Sequence, residues 1–159
     1  RDRYLRRPPR PIRELVVTEY ARAAGCPVPT VVAVCVEEAG LFYRGWIVTS
    51  AIEPAVSLFS ALDHAADEQA KAPLLAAAGR SVSGLHAAGV YHPDLTGDNL
   101  LVGEDGVVSV LDFDRAFVAN PNLRRLGQRG LDRLWRSLAK HDKSASDQQR
   151  RWLEGGYRG

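Results

Sequence analysis

The sequence predicts an α+β fold, with its elements in the order helix, hairpin, helices, hairpin, helix. Three patterns predict it. Apolar residues recur at helical spacing in two segments, each closed by a glycine. Two pairs of short, β-branched runs flank glycine-bearing turns. The last third carries leucines separated by arginines, the mark of a helix with one buried face.

Taken in order, Pro8, Pro9 and Pro11 punctuate the entry, so residues 1–11 are expected to be irregular. Ile12, Leu15, Val16, Tyr20 and Ala23 then predict a helix over about 12–24, stopped by Gly25 with Pro27 behind it. Val31 to Val36 reads as a strand, Glu37–Gly40 as a turn and Leu41 to Ile52 as a second strand. Pro54 ends that strand, and a short helix is expected from Ser57. Between Pro73 and Ala88, the residues Leu75, Ala78, Val82 and Leu85 share one face, which predicts a buried helix ending before Gly89. A polar loop, Tyr91–Asn99, leads into a strand at Leu100–Val102, a turn at Gly103-Glu104-Asp105-Gly106 and a strand at Val107–Leu111. Leu123, Leu126, Leu131, Leu134 and Leu138 predict a final helix, and the chain past Lys143 is expected to be a loose polar tail.

Composition excludes several classes. With 45% hydrophobic and 25% charged residues, 159 residues can bury a real core, which excludes a disordered or collagen-like chain. No uncharged apolar run approaches the roughly 20 residues that cross a bilayer. The start, Arg1-Asp2-Arg3-Tyr4-Leu5, has no apolar core of a secretory signal. Cys26 and Cys35 are too few for a disulfide framework and read as ordinary buried thiols in a reducing compartment. Met is absent, so the chain lacks even an initiator and is expected to be less than a complete gene product. The net charge of +2 hides a partition. Residues 1–13 hold six Arg against Asp2, residues 14–114 hold four basic against fourteen acidic side chains, and residues 115–159 hold eleven basic against four acidic. Basic ends of this kind suit an anionic lipid or glycolipid, or simply solvated helix faces.

The chemistry concentrates in Val90-Tyr91-His92-Pro93-Asp94-Leu95-Thr96-Gly97-Asp98-Asn99, followed by Leu111-Asp112-Phe113-Asp114. Asn99 and Asp112 lie at the open end of the second hairpin, so a tight turn brings them together. An amide oxygen beside a carboxylate makes a pair of hard ligands for Mg²⁺ that also holds phosphate. Asp94 is placed to accept a proton from an incoming hydroxyl, and His92 to brace the loop through its backbone.

This spacing, H-x-D-x-x-x-x-N and then D-F-x, resembles the catalytic loop and metal segment of the protein-kinase-like phosphotransferases. Thr96 stands where Ser/Thr kinases usually carry Lys, Asp114 replaces the last glycine of D-F-G, and no A-P-E follows. Those departures resemble small-molecule kinases. The aminoglycoside-type phosphotransferases remain candidates, but the chain is more similar to the lipopolysaccharide kinase family, and within it to the 3-deoxy-D-manno-octulosonic acid (Kdo) kinases. The stretches that carry this resemblance are Arg13-Glu14 leading into Gly25-Cys26-Pro27-Val28-Pro29, Gly40-Leu41-Phe42-Tyr43-Arg44, His86 to Leu95, Leu111 to Arg115, Asn122 to Leu126 and Leu134 to Lys140.

The resemblance implies a protein-kinase-like fold lacking the first strands of its small lobe. Residues 1–52 would be a partial N-terminal lobe, 53–143 the catalytic lobe and 144–159 a polar tail. It implies Asp94 as the catalytic carboxylate, with His92 supporting the loop. Asn99 and Asp112 would bind Mg²⁺ and through it ATP, and Ser50 to Pro54 would be the hinge at adenine. Glu14 would be the helix glutamate that pairs with an ATP-anchoring lysine. Helical geometry does not select Glu14, because at about 100° per residue Glu19 lies nearer the apolar stripe. Asp98 and Asp114 sit near the metal, or are simply local solvated acids. The acceptor implied is the Kdo sugar of an anionic glycolipid, Kdo–lipid A, met by a cytoplasmic protein at the inner face of the inner membrane. Nucleic acid is not an expected partner, since arginine-rich helices without a recognised module are a weak signal.

Two parts of a kinase are missing. The three lysines, Lys71, Lys140 and Lys143, all follow the hinge segment, and G-x-G occurs nowhere. Either the strands that carry them are encoded upstream, or the chain is a degenerate relative. In both cases the phosphates lose their grip, and this polypeptide alone is expected to be weak or inactive. Three functions follow as expectations: a Kdo kinase, another phosphotransferase acting on an aminoglycoside, choline-like alcohol or protein, and a non-catalytic pseudokinase.

Overall fold

A computed structural model describes residues 4–5, 9–119 and 124–159 and has the mixed α and β content expected. Helix α1 spans Arg10–Ala23. It ends where Gly25 takes φ +82°, with the Gly25 amide donating to the Arg22 carbonyl and the Cys26 amide to that of Ala21. That paired pattern needs a left-handed residue at Gly25, which glycine adopts without steric cost.

Strand β1 (Tyr4–Leu5) lies within the entry expected to be irregular and pairs with the strand formed by Phe42–Thr49. Pro8 lies outside the described residues. Strands β2 (Val31–Ala39) and β3 (Phe42–Thr49) make the first hairpin, and the sheet order is β1-β3-β2. The β2 strand runs three residues beyond Val36, so the turn falls at Gly40-Leu41 rather than at Glu37–Gly40. Gly40, with φ +63°, makes the reversal there. The helix α1 rests on this sheet at Gly45, where the Pro11 ring occupies the space a Cβ would need.

The buried face of α1 differs from the stripe read in the sequence. Pro11, Val17, Thr18 and Ala21 are buried, whereas Ile12, Val16 and Tyr20 are 40%, 59% and 47% exposed. Periodicity finds a helix but not its inner face when apolar residues occupy both sides. Cys26 is buried as expected, but Cys35 is exposed on β2.

Strand β4 (Ala55–Ser57) directly follows Pro54 and adds to a second sheet, whose order is β4-β6-β7 with β6 (Leu100–Gly103) and β7 (Val108–Val110). It supplies an edge that the sequence did not signal. Helix α2 (Leu58–Asp63) begins at Ser57, whose Oγ accepts from the Ser60 amide at 3.2 Å. Helix α3 (Lys71–Ala87) is the buried helix expected, with Leu75, Ala78, Val82 and Leu85 all at 1% exposure or less. A further small ladder joins β5 (Val90–Tyr91) to β8 (Phe117–Val118).

Helix α4 (Arg124–His141) buries Leu131, Leu134 and Leu138; Leu123 lies outside the described residues. The expectation of a loose tail fails. Residues Asp147–Arg158 form helix α5, capped by the Ser146 hydroxyl and packed along α3. Leu153 is fully buried, and Gln149 donates to both Glu68 carboxylate oxygens at 3.0 and 3.1 Å. Gly79 and Gly156 bring the two backbones together, since a Cβ on either would overlap the carbonyl of Leu153 or Ala76. Polar composition hid a helix whose buried residues are Gln149, Leu153 and Gly156.

Candidate active site

The β6–β7 hairpin sets the site. Leu100 pairs with Val110, and the Leu111 amide donates to the Asn99 carbonyl at 2.9 Å. Asn99 and Asp112 therefore flank the same end of the ladder, as the spacing required. A short 3₁₀ turn, Gly97–Asn99, delivers Asn99 from the loop, and its side-chain amide donates to the Asp94 carbonyl at 3.0 Å. With the nitrogen engaged, the side chain presents Oδ1. Gly97 sits against the Phe59 ring, where a Cβ would collide.

His92 is 1% exposed and lies edge-on to Phe113 at 5.5 Å. Its Nε2 is 3.0 Å from the Leu111 carbonyl, so that nitrogen carries the hydrogen and donates. One buried histidine thus ties the loop before Asp94 to the strand end before Asp112. Its Nδ1 is buried without a hydrogen-bond partner.

Asp112 is exposed and has φ +61°, the one described non-glycine residue in the left-handed region. Backbone held there costs of order 1–3 kcal/mol and recurs where a side chain must be aimed. Phe113 turns inward at 1% exposure and anchors the bend. Asp114 pairs with Arg10 at 3.3 Å. Asp98 is exposed on the 3₁₀ turn.

Glu14 reaches this group from α1. Burial pushes its carboxyl up to about 7, the charges of Asp112 and Asp114 push the same way, and the Phe113 amide donates to it and opposes them. Glu19 lies elsewhere, bonded to Arg22 at 2.7 and 2.9 Å. The structure therefore places Glu14, rather than Glu19, beside Asp112. Asp94, His92, Asn99, Asp112 and Glu14 all converge on the hairpin end. Ser50 to Pro54 forms the irregular link between β3 and β4, with the Ser50 amide donating to the Thr30 carbonyl at 2.8 Å.

Two arginines escaped the sequence reading. Arg115 Nη1 lies 2.9 Å from Asp94 Oδ2, and Arg133 Nη2 lies 3.4 Å from Asp94 Oδ1. Arg115 directly follows Asp114 and gave a positional signal without a role. Arg133 is one of many arginines on α4, and only the fold singles it out.

Chemically, the arrangement offers a carboxylate that can take a hydroxyl hydrogen, two hard oxygen donors, and guanidiniums suited to an oxyanion. Among the described residues, no three His, Cys, Asp or Glu side chains cluster as a metal site. No helix of the described residues is long and apolar enough to cross a membrane.

Comparison with known proteins gives the same direction. The family described as Lipopolysaccharide kinase (Kdo/WaaP) family matches residues 1–157. A 3-deoxy-D-manno-octulosonic acid kinase of Xanthomonas oryzae pv. oryzae (strain PXO99A) is 38% identical over 114 residues, which are 72% of this chain and 44% of that protein. Kinases of the same name are 33% identical over 129 residues in Xylella fastidiosa (strain 9a5c) and 31% identical over 133 residues in Vibrio cholerae serotype O1. These matches take in 81% and 82% of this chain, and 47% and 54% of those proteins. The chain spans about half the length of the curated relatives it matches. From the matched span and the relatives alike, the chain belongs to the lipopolysaccharide kinase (Kdo/WaaP) family.

Proposed function

We propose that this chain is the catalytic part of an ATP-dependent kinase that phosphorylates the Kdo sugar of a lipopolysaccharide inner-core precursor, Kdo–lipid A. The observation that carries the reading is the meeting of Asp94, Asn99 and Asp112 at one hairpin end, tied together by His92 and by the Leu111–Asn99 hydrogen bond. Asp94 would accept the hydrogen of the sugar hydroxyl as the hydroxyl oxygen bonds to the terminal phosphorus of ATP and the bond from that phosphorus to ADP breaks. Asn99 Oδ1 and the Asp112 carboxylate fit Mg²⁺, which would neutralise charge on the ATP phosphates; phosphate oxygens would complete its shell. Glu14 is the helix glutamate facing that segment, in wait for a cationic partner. Ser50 to Pro54 serves adenine.

In this reading the fold is protein-kinase-like, with residues 1–52 a partial small lobe and 53–143 the catalytic lobe, to which α5 is packed. The absence of lysine before Lys71 and of G-x-G leaves phosphate positioning weak, so this polypeptide alone should transfer phosphate poorly. The acceptor's lipid would hold the enzyme at the cytoplasmic face of the inner membrane, aided by the basic C-terminal segment.

The test is transfer of radiolabelled phosphate from ATP to a panel of acceptors, using both this chain and its reading frame extended upstream. Transfer to Kdo–lipid A by the extended protein, lost in Asp94→Asn and Asp112→Asn, supports the reading. Transfer only to an aminoglycoside, a choline-like alcohol or a protein overturns it. No transfer anywhere, with nucleotide binding unaffected by Asp94→Asn, makes the chain a pseudokinase.

A further inference from the structure

We propose that Arg115 and Arg133 form the seat for the acceptor's carboxylate and so present the acid sugar to Asp94. The inference rests on the Kdo reading above, and it names how that acceptor is recognised.

Each oxygen of the Asp94 carboxylate is held by a different guanidinium, at 2.9 Å from Arg115 and 3.4 Å from Arg133. Two cations therefore face one carboxylate. Each arginine uses a single terminal nitrogen on Asp94, so the rest of each donor fork remains for another oxyanion. The fold has little need of these contacts. The Arg115 and Arg133 side chains are 66% and 46% exposed, and exposed pairs contribute little to stability. Exposed arginines kept on the Asp94 carboxylate without a structural duty are placed for a ligand.

The pairing also opposes catalysis as it stands. A base whose two oxygens both accept from arginine competes poorly for a neutral hydroxyl. An acceptor carrying its own carboxylate removes the conflict: it takes the guanidiniums bidentately and returns one Asp94 oxygen to the sugar hydroxyl. Charge continues outward from the seat. Arg129, Arg133, Arg136 and Lys140 are exposed at positions that share one face of α4. That stripe suits the phosphates of an anionic glycolipid, whereas the two arginines on Asp94 suit the group nearest the reacting hydroxyl.

The experiment is isothermal titration calorimetry of this chain with the methyl glycoside of Kdo and with its carboxyl methyl ester, neither of which carries phosphate. Circular dichroism checks that each variant is folded. The acid should bind about tenfold or more tighter than the ester, the scale expected of charge-assisted pairs. In the Arg115→Gln/Arg133→Gln double variant the preference should vanish. Asp94→Asn should bind the acid more tightly than the parent, because the competing carboxylate is neutral; a purely structural role for the arginines would not produce that gain. Equal binding of acid and ester by the parent overturns the carboxylate seat and leaves the Kdo reading standing. Displacement of the sugar by inorganic phosphate as readily as by the acid marks a general anion site and also overturns it. Binding of neither sugar overturns both readings together.

Discussion

The His86 ring offers a direct test of how the three C-terminal helices meet. It closes α3, with Nδ1 2.9 Å from the Tyr157 hydroxyl of α5, and α4 crosses it at Gly127 and Gly130. A Cβ at Gly130 would stand 2.9 Å from Nε2, so only glycine lets the helix pass. Burial lowers the imidazole to about 4 from its ordinary 6.5. Between those values the unfolded chain binds the proton and the folded chain does not. Stability therefore rises as pH increases from about 4 to 6.5, is flat above, and is lost progressively below 6.5. At 1.36 kcal/mol per tenfold, the full gap caps the effect at about 3 kcal/mol. His86→Gln can still accept from Tyr157 but does not titrate. Urea unfolding of both proteins at pH 7.5 and 4.5 should show the parent losing about 2 kcal/mol more than the variant over that interval. The carboxylates common to both cancel in the difference. A difference that stays constant with pH, or a His86 ring that titrates near 6.5 by NMR, would refute the wedge.

Two other perturbations probe the frame around the site. Gly156→Ala drives a methyl into the Ala76 carbonyl and should cost about 2–3 kcal/mol or force α5 off α3, read as a lower midpoint in thermal unfolding; an unchanged midpoint would mean the helices are not in contact. His92→Ala leaves the Leu111 carbonyl without its donor and empties space beside Phe113, at a cost of about 2–4 kcal/mol by denaturant titration. On the kinase reading proposed above, the same variant should slow phosphate transfer, since the loop carrying Asp94 loses its tie to Asp112; full transfer rates would show that the tie is not needed.

Much of this molecule was legible in the chain because local chemistry acts over short spans. The glycine at 25, the Ser57 cap, the leucine face of α3 and the Gly103–Gly106 turn each specify structure within a few residues. The grouping of Asp94, Asn99 and Asp112 was legible for the same reason: the loop and the hairpin that carry them are contiguous. Where a pattern had two solutions, the sequence misled. Apolar residues on both sides of α1 favoured the wrong inner face, and polar composition concealed α5. Cys35, read as a buried thiol, proved exposed because it lies in a strand with one uncovered side.

By itself the sequence determined the α+β class, the hairpin that brings Asn99 and Asp112 to one end, and the motif spacing that marks the family. These depend on covalent neighbours and on turn chemistry. Only tertiary structure decided that Glu14 rather than Glu19 faces Asp112, that His92 donates to Leu111, and that Arg115 and Arg133 converge on Asp94. Those meetings join residues up to 98 positions apart, from Glu14 to Asp112, and they follow from how helices and sheets bury their apolar faces, which no local pattern encodes.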